Sequence, residues 1–259
     1  MYSIVLHAHQ KIDAVAYRHC ADDPSFAKMP SLKDILHFEG RNGPDGVKLK
    51  SGGKNEPWHF YDPCNVDDTQ LLVLIEEHRL RLQRVIATGN RERAAFEASW
   101  LAHAIVDGLT PAHHYPYEQE LELLRGTGKE TRETIRSRLL VKNGGRRNSV
   151  KKSWQLVGAK GLLTTHTSFE AGAAMIFMSR SLRGTKPTEY DLKTVKHIGF
   201  IEYYKRLAKE VSDLSMYERF YARGWTRKLA GEMHDELAPR MVRAVALAWL
   251  SAVWEQETA

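Results

Sequence analysis

Apolar residues recur along most of the chain at intervals of three and four, the spacing that places them on one face of an α-helix. From Asp68 to Thr88, Leu72, Ile75, Leu80 and Val85 mark a broad apolar face, and Gly89 is a suitable stop. Asn90 is a candidate N-cap for the next helix, which runs to about Gly108. Further helical patterns lie at about 161–182, 189–213, 214–233 and 238–255. No alternation of apolar and polar residues persists long enough to predict a sheet. The fold class is therefore all-α, and the 259 residues are read as a single domain, 1–259, folded as a multi-helix bundle.

Two stretches interrupt the pattern and are expected to be non-helical. Glu39 to Pro63 is rich in Gly, Pro and Asn (EGRNGPDG, then SGGKNEPWHFYDP), the composition of a long loop. Its aromatics, Trp58, Phe60 and Tyr61, argue against disorder. Arg125 to Lys152 is a basic insertion holding ten Lys or Arg against Glu130 and Glu133. The whole chain has 38 Lys and Arg against 32 Asp and Glu, a net charge of +6. Outside the basic segment, 28 basic residues face 30 acidic ones, so all the net positive charge sits there. The segment has few apolar residues and is expected to meet an anionic partner at the rim of a site rather than to hold a core.

Two cysteines, Cys20 and Cys64, are too few for a disulfide framework, although one bridge remains open. The opening MYSIVLHAHQ lacks the basic start and long apolar run of a secretory signal. The longest apolar run, AVALAWLSAVW at 244–254, falls well short of the ~18 residues of a membrane span. No transmembrane segment is expected. The default location is cytoplasmic, or extracellular if a signal peptide has been removed.

Against this background the stretch WLAHAIVDGLTPAHHYP, Trp100 to Pro116, is anomalous. His103 and Asp107 lie four apart among Ala, Ile and Val, so a helix would carry both on one face. Pro111 ends that helix, and His113 can return towards the same point. Imidazole and carboxylate groups buried in apolar surroundings need partners. Imidazole nitrogen and carboxylate oxygen at this spacing suit zinc. His166 and Glu170 form a second such pair in TTHTSFEAGAA. Asp45 and His59 sit in the first non-helical stretch, and His9 lies near the N-terminus. These eight residues, supplied by separate elements, are the candidate ligands of a multinuclear site. His78 is read as lying on a charged helix face, and His197 and His234 as structural or surface residues. His19 and His37 are candidates for supporting positions, and His114 is expected to point away from the site.

These motifs resemble the zinc-dependent phospholipase C family of bacteria. That family shares its helical fold with fungal single-strand-specific zinc nucleases and with the catalytic domain of glycosylphosphatidylinositol-specific phospholipase D. The resemblance rests on His103, Asp107 and His113 with Pro111 two residues before the last histidine. It rests also on Pro44-Asp45, on HFYDP at 59–63, and on the pair His166 and Glu170; together these motifs span roughly residues 9–170. It implies two or three Zn²⁺ ions: one on Asp45, His59, His103 and Asp107, a second on His113, His166 and Glu170. Asp107 would bridge to a third, held by His9 and the chain's own N-terminus. The chain departs from the family there, because it starts at Met1 with eight residues before His9, and His7 is an alternative donor. The spacing from His113 to His166 is also longer than the family usually shows, and the basic insertion lies within it.

The expected function is a zinc-dependent phosphoric-ester hydrolase of phospholipase C type, in which metal-activated water attacks a phosphodiester and Asp45 accepts its proton. The expected partners are a phospholipid or another phosphodiester substrate, with an anionic membrane surface or nucleic acid meeting residues 125–152. Two alternatives stay open. One is a zinc nuclease acting on single-stranded nucleic acid, which the basic segment favours and the His166–Glu170 pair disfavours, since the fungal nucleases carry an aspartate there. The other is a non-catalytic helical domain that keeps zinc for stability and binds an anion.

Overall fold

The computed structural model describes residues 2–50, 57–134, 141, 145–182 and 186–254. Among them every regular element is a helix and no strand occurs. The chain is all-α, as the periodicity predicts.

The helix α1 (Tyr2–Cys20) buries Ala8, Ile12, Val15, Ala16 and Cys20 on one face. After α2 (Leu32–His37) and α3 (Pro44–Lys50) come the long antiparallel neighbours α4 (Gln70–Ala87) and α5 (Arg91–Gly108). Asn90 caps α5, its side chain accepting from the Arg93 N–H at 3.0 Å. Then follow α6 (Tyr117–Arg125), α7 (Gly145–Val157) and α8 (Leu162–Ser179). The C-terminal third holds α9 (Glu189–Ile198), α10 (Phe200–Asp213), α11 (Met216–Arg223), α12 (Arg227–Glu232) and α13 (Ala238–Val253).

Two helices form the middle of the bundle. From Ala94 onward α5 is buried nearly all round, and α13 is buried at most of its positions. Both are rich in alanine, so neighbours approach closely from several sides. Trp249 of α13 is fully buried and donates its indole N–H to the Ala98 carbonyl of α5 at 3.0 Å. Tyr204 of α10 donates to the Ile105 carbonyl at 3.2 Å. Helix α1 packs along α8 and α13, closing the bundle over α5.

Several sequence expectations need correction. The stretch 39–63 is not all loop: it contains a 3₁₀ turn, Gly40–Asn42, and helix α3. Proline at the start of α3 costs no hydrogen bond, and Asp45 in the first turn complements the helix dipole. Gly46 is needed for contact rather than flexibility, since a Cβ there would lie 2.0 Å from the Arg41 carbonyl oxygen. The basic stretch likewise contains most of α7, and its Val141 does reach a core, joining Leu156 beyond the stretch with Phe60, Tyr117 and Leu121 in a small apolar cluster apart from the main one. Arg125 and Arg132 are buried rather than on the surface. The single patterns at 189–213 and 214–233 each break in two, at Gly199 (φ +83°) and near Gly224 (φ +67°). Cys20 is buried and Cys64 exposed, and no bridge joins them. No helix among the described residues is long and apolar enough to cross a membrane.

His78 is not on a solvated face either. It is buried between α4 and α5, donating Nδ1–H to Glu97 Oε2 at 2.5 Å, while Glu97 Oε1 meets Arg93. Burial alone would push the Glu97 carboxyl up, but His78 and Arg93 outweigh it and hold the group below the usual range. A depressed carboxyl adds stability above its unfolded pKa, near about 4.3, and loses it as pH falls through the folded value. Glu97→Gln should therefore narrow the difference in Tm between neutral and acid solution, measured by circular dichroism at about pH 7 and about pH 3.5. An unchanged difference would show that the pair carries no pH-linked stability.

Candidate metal centre

Six elements converge where α5 ends. Helix α5 supplies His103 and Asp107 one turn apart, and the 3₁₀ turn Pro111–His114 supplies His113. Helix α1 supplies His9, α8 supplies His166 and Glu170, and the extended segment 57–63 supplies His59. That segment is tied to the turn by the Tyr61 N–H donating to the His113 carbonyl at 3.1 Å. Asp45 in the first turn of α3 completes the ring. All eight sequence-derived residues line one or both of two adjoining cavities.

The larger cavity, about 260 Å³, has polar walls of His9, Asp107, His113, His166 and Glu170. Ile12, Leu121, Leu163, Ala174 and Phe177 form its apolar part. The smaller, about 20 Å³, is enclosed by Asp45, His59, His103 and Asp107 with Trp58 and Trp100, room for one water or ion.

Within this ring the side chains fall into two groups. His9, His103 and Asp107 form one, His113, His166 and Glu170 the other, the donor atoms in each lying within 4.8 Å of one another. Asp107 Oδ2 lies 3.2 Å from His103 Nε2, and its Oδ1 lies 3.5 Å from His9 Nε2 and 3.9 Å from His113 Nδ1. Glu170 Oε1 lies 3.0 Å from His113 Nε2 and 3.2 Å from His166 Nε2. The His9 and His103 rings stack at 4.3 Å, and those of His113 and His166 at 5.2 Å.

The outward nitrogens decide the protonation pattern. His113 Nδ1 lies 2.8 Å from the Asp107 carbonyl oxygen, which can only accept, so Nδ1 carries the proton. His103 Nδ1 is held the same way by Glu39 Oε1 at 2.8 Å, and His59 Nδ1 by the Pro57 carbonyl at 3.1 Å. A neutral imidazole then turns an Nε2 lone pair inward, and for His103 and His113 that lone pair confronts a carboxylate. Two acceptors at about 3 Å repel unless positive charge lies between them, either a second ring proton or a bound cation. Tetrahedral zinc with ligands at about 2.0–2.2 Å separates its donor atoms by about 3.3–3.6 Å. The donor set could hold a metal ion, its closest spacings of 3.0–3.9 Å lying around that range.

The electrostatics follow from burial and neighbours. Burial disfavours charge on Asp107, yet His103, His113 and His9 outweigh it and hold the carboxyl well below the usual range. Burial would likewise lower His103, but Asp107 and Glu39 raise it well above an ordinary histidine. Glu39, 2% exposed, also accepts from Ser99 Oγ at 3.1 Å. Asp13, one turn beyond His9, is 1% exposed, and neither oxygen has a hydrogen-bond partner among the described residues. Burial first, and the Glu39 charge second, push its carboxyl well up, towards the neutral acid.

Sequence reasoning missed Glu39, Asp13 and the Arg132–Glu118 pair at the cavity wall. Asp13 stood four residues from His9, a spacing that was readable; Glu39 had no such relation to His103. Among the other histidines, His114 points away, donating Nε2–H to the Gly108 carbonyl at 2.9 Å, and burial lowers its pKa to about 4. His234 bonds Asp235 and the Ser181 carbonyl, His37 and His197 are exposed, and neither His19 nor His37 lines either of these two cavities. His7 is exposed while His9 turns inward, and Met1 lies outside the described residues. Set against protein-family models, curated proteins and solved structures, the chain matches none.

Glu39→Ala removes the acceptor of two buried donors and unpairs His103. Breaking a buried charged pair costs about 3–5 kcal/mol, with relief of Asp13 placing this case near about 3 kcal/mol. Denaturant unfolding at neutral pH measures it; a loss under about 1 kcal/mol would show that Glu39 does not hold the centre together.

Proposed function

We propose that the chain is a metal-dependent phosphoric-ester hydrolase of phospholipase C type, with zinc as the metal. The observation that carries this reading is the pair of inward imidazole nitrogens, on His103 and His113, facing buried Asp107 and half-buried Glu170 while the other nitrogen of each is already committed. Ligating histidines characteristically have the second nitrogen held by a carboxylate or carbonyl in this manner. His9, His103 and Asp107 would hold one ion, with Asp45 and His59 beside it on the small cavity. His113, His166 and Glu170 would hold another, and Asp107 stands between the two groups. Two or three ions are consistent with this ligand set.

Bound zinc supplies Lewis-acid binding of phosphate oxygens and a water of lowered pKa. The protein side chains do the rest. Asp45, half-buried at the start of α3 and lining both cavities, accepts the proton of the attacking water. Glu39, the Pro57 carbonyl and the Asp107 carbonyl keep the His103, His59 and His113 rings fixed before substrate arrives. The apolar wall of Ile12, Leu121, Leu163, Ala174 and Phe177 excludes water and receives the apolar part of an ester.

Elemental analysis of protein purified without chelator should give at least two zinc ions per chain, and no stoichiometric transition metal would overturn the reading. Glu39→Gln, which keeps the shape but not the charge, should weaken zinc binding by about 10–100-fold. Asp107→Asn should cost more than Glu39→Gln in hydrolysis of bis-p-nitrophenyl phosphate, because Asp107 faces three of the histidines. Equal losses would remove Asp107 from the centre of the site. Zinc retained without cleavage of phospholipid or of single-stranded DNA would identify a zinc-stabilised binding domain instead.

A further inference from the structure

Helix α7 carries an exposed apolar stripe that the bundle does not use. Leu156 points inward and joins Phe60, Tyr117 and Leu121 in the small core. On the opposite face, Val150, Trp154 and Val157 lie at helical intervals of four and three, and they are 65%, 71% and 44% exposed. Trp154 is the large aromatic that a soluble surface least favours, and here it stands outward with aliphatic neighbours on both sides. Arg147 and Lys151 flank the stripe, both exposed, with Lys160 just beyond the helix. Arg125 and Arg132 of the same basic segment are buried, and among its described residues the exposed cations are Arg147 and Lys151, both on α7.

We infer that α7 is a membrane-docking helix, seating Val150, Trp154 and Val157 in the interface of an anionic bilayer. The arrangement is that of an interfacial helix, with an apolar ridge, cations beside it, and Trp placed for the headgroup boundary. Arg147, Lys151 and Lys160 supply the attraction to anionic lipid. Nucleic acid explains the cations but not the ridge, because valines neither stack on bases nor contact phosphate. Leu156 packs on Phe60, Tyr117 and Leu121, which line the large cavity, so docking on α7 brings that cavity beside the lipid surface. This inference rests on surface chemistry alone and stands whether or not the centre hydrolyses esters.

The test is flotation of the full chain with phosphatidylglycerol–phosphatidylcholine vesicles and with phosphatidylcholine vesicles, at low and high salt. The wild type should float with the anionic vesicles, release as salt rises, and show blue-shifted tryptophan emission that Trp154→Phe removes. The double variant Val150→Asp, Trp154→Asp alters only exposed positions and should keep its Tm while vesicle partitioning falls about tenfold or more. Three results would overturn the inference: no flotation, flotation unaffected by the double variant, or binding confined to single-stranded DNA and sensitive only to Arg147→Glu and Lys151→Glu.

Discussion

The Asp107 carboxylate is the charge around which the bundle is arranged. It sits at the end of a helix otherwise lined with alanine and aliphatic residues, where a lone carboxylate would be strongly disfavoured. Three imidazoles from three elements meet it, and the backbone carbonyl of the same residue holds one of those rings in orientation. Removing any of α1, α5 or the turn after α5 would leave this charge inadequately compensated. Much of the packing can be understood as delivering those side chains to one place.

The same logic extends one layer out. Glu39 fixes His103 and thereby places a second buried carboxylate close to the first, and Asp13 beside it is driven towards its neutral form. Asp107 and Glu39 thus share the His103 imidazole between them. Gly108 contributes through what it lacks: a Cβ there would meet the Tyr204 hydroxyl at 2.2 Å and Leu71 at 2.4 Å, so the end of α5 can be approached from both sides.

The parts of this centre that were legible in the sequence are those built on one helix or one turn. His103 with Asp107, and His166 with Glu170, could be read because a four-residue interval in an apolar helix has one geometric meaning. Glu39 could not, because the residue that orients a ring lies in another segment at no fixed separation. Helix α3 was hidden by the glycines and prolines that make it possible: Pro44 starts it, and Gly46 lets it lie against Arg41. The basic stretch misled in another way. Charge counts do not distinguish Arg132, buried against Glu118, from Lys151 in solvent. His78 was missed for a related reason, since its partner Glu97 belongs to the neighbouring helix.

The docking of α1 along α8 and α13 has a consequence for how the chain matures. During synthesis α1 emerges before every helix it packs against, and its ridge of Ile12, Val15 and Ala16 must wait until residues beyond 240 have been made. His9 travels with it. The centre is thus a late product of folding, closed by a contact between distant parts of the chain, and such contacts form slowly. An ion that used His9 would be captured by a nearly finished protein, so its supply at that moment, rather than during elongation, would decide how such a centre filled.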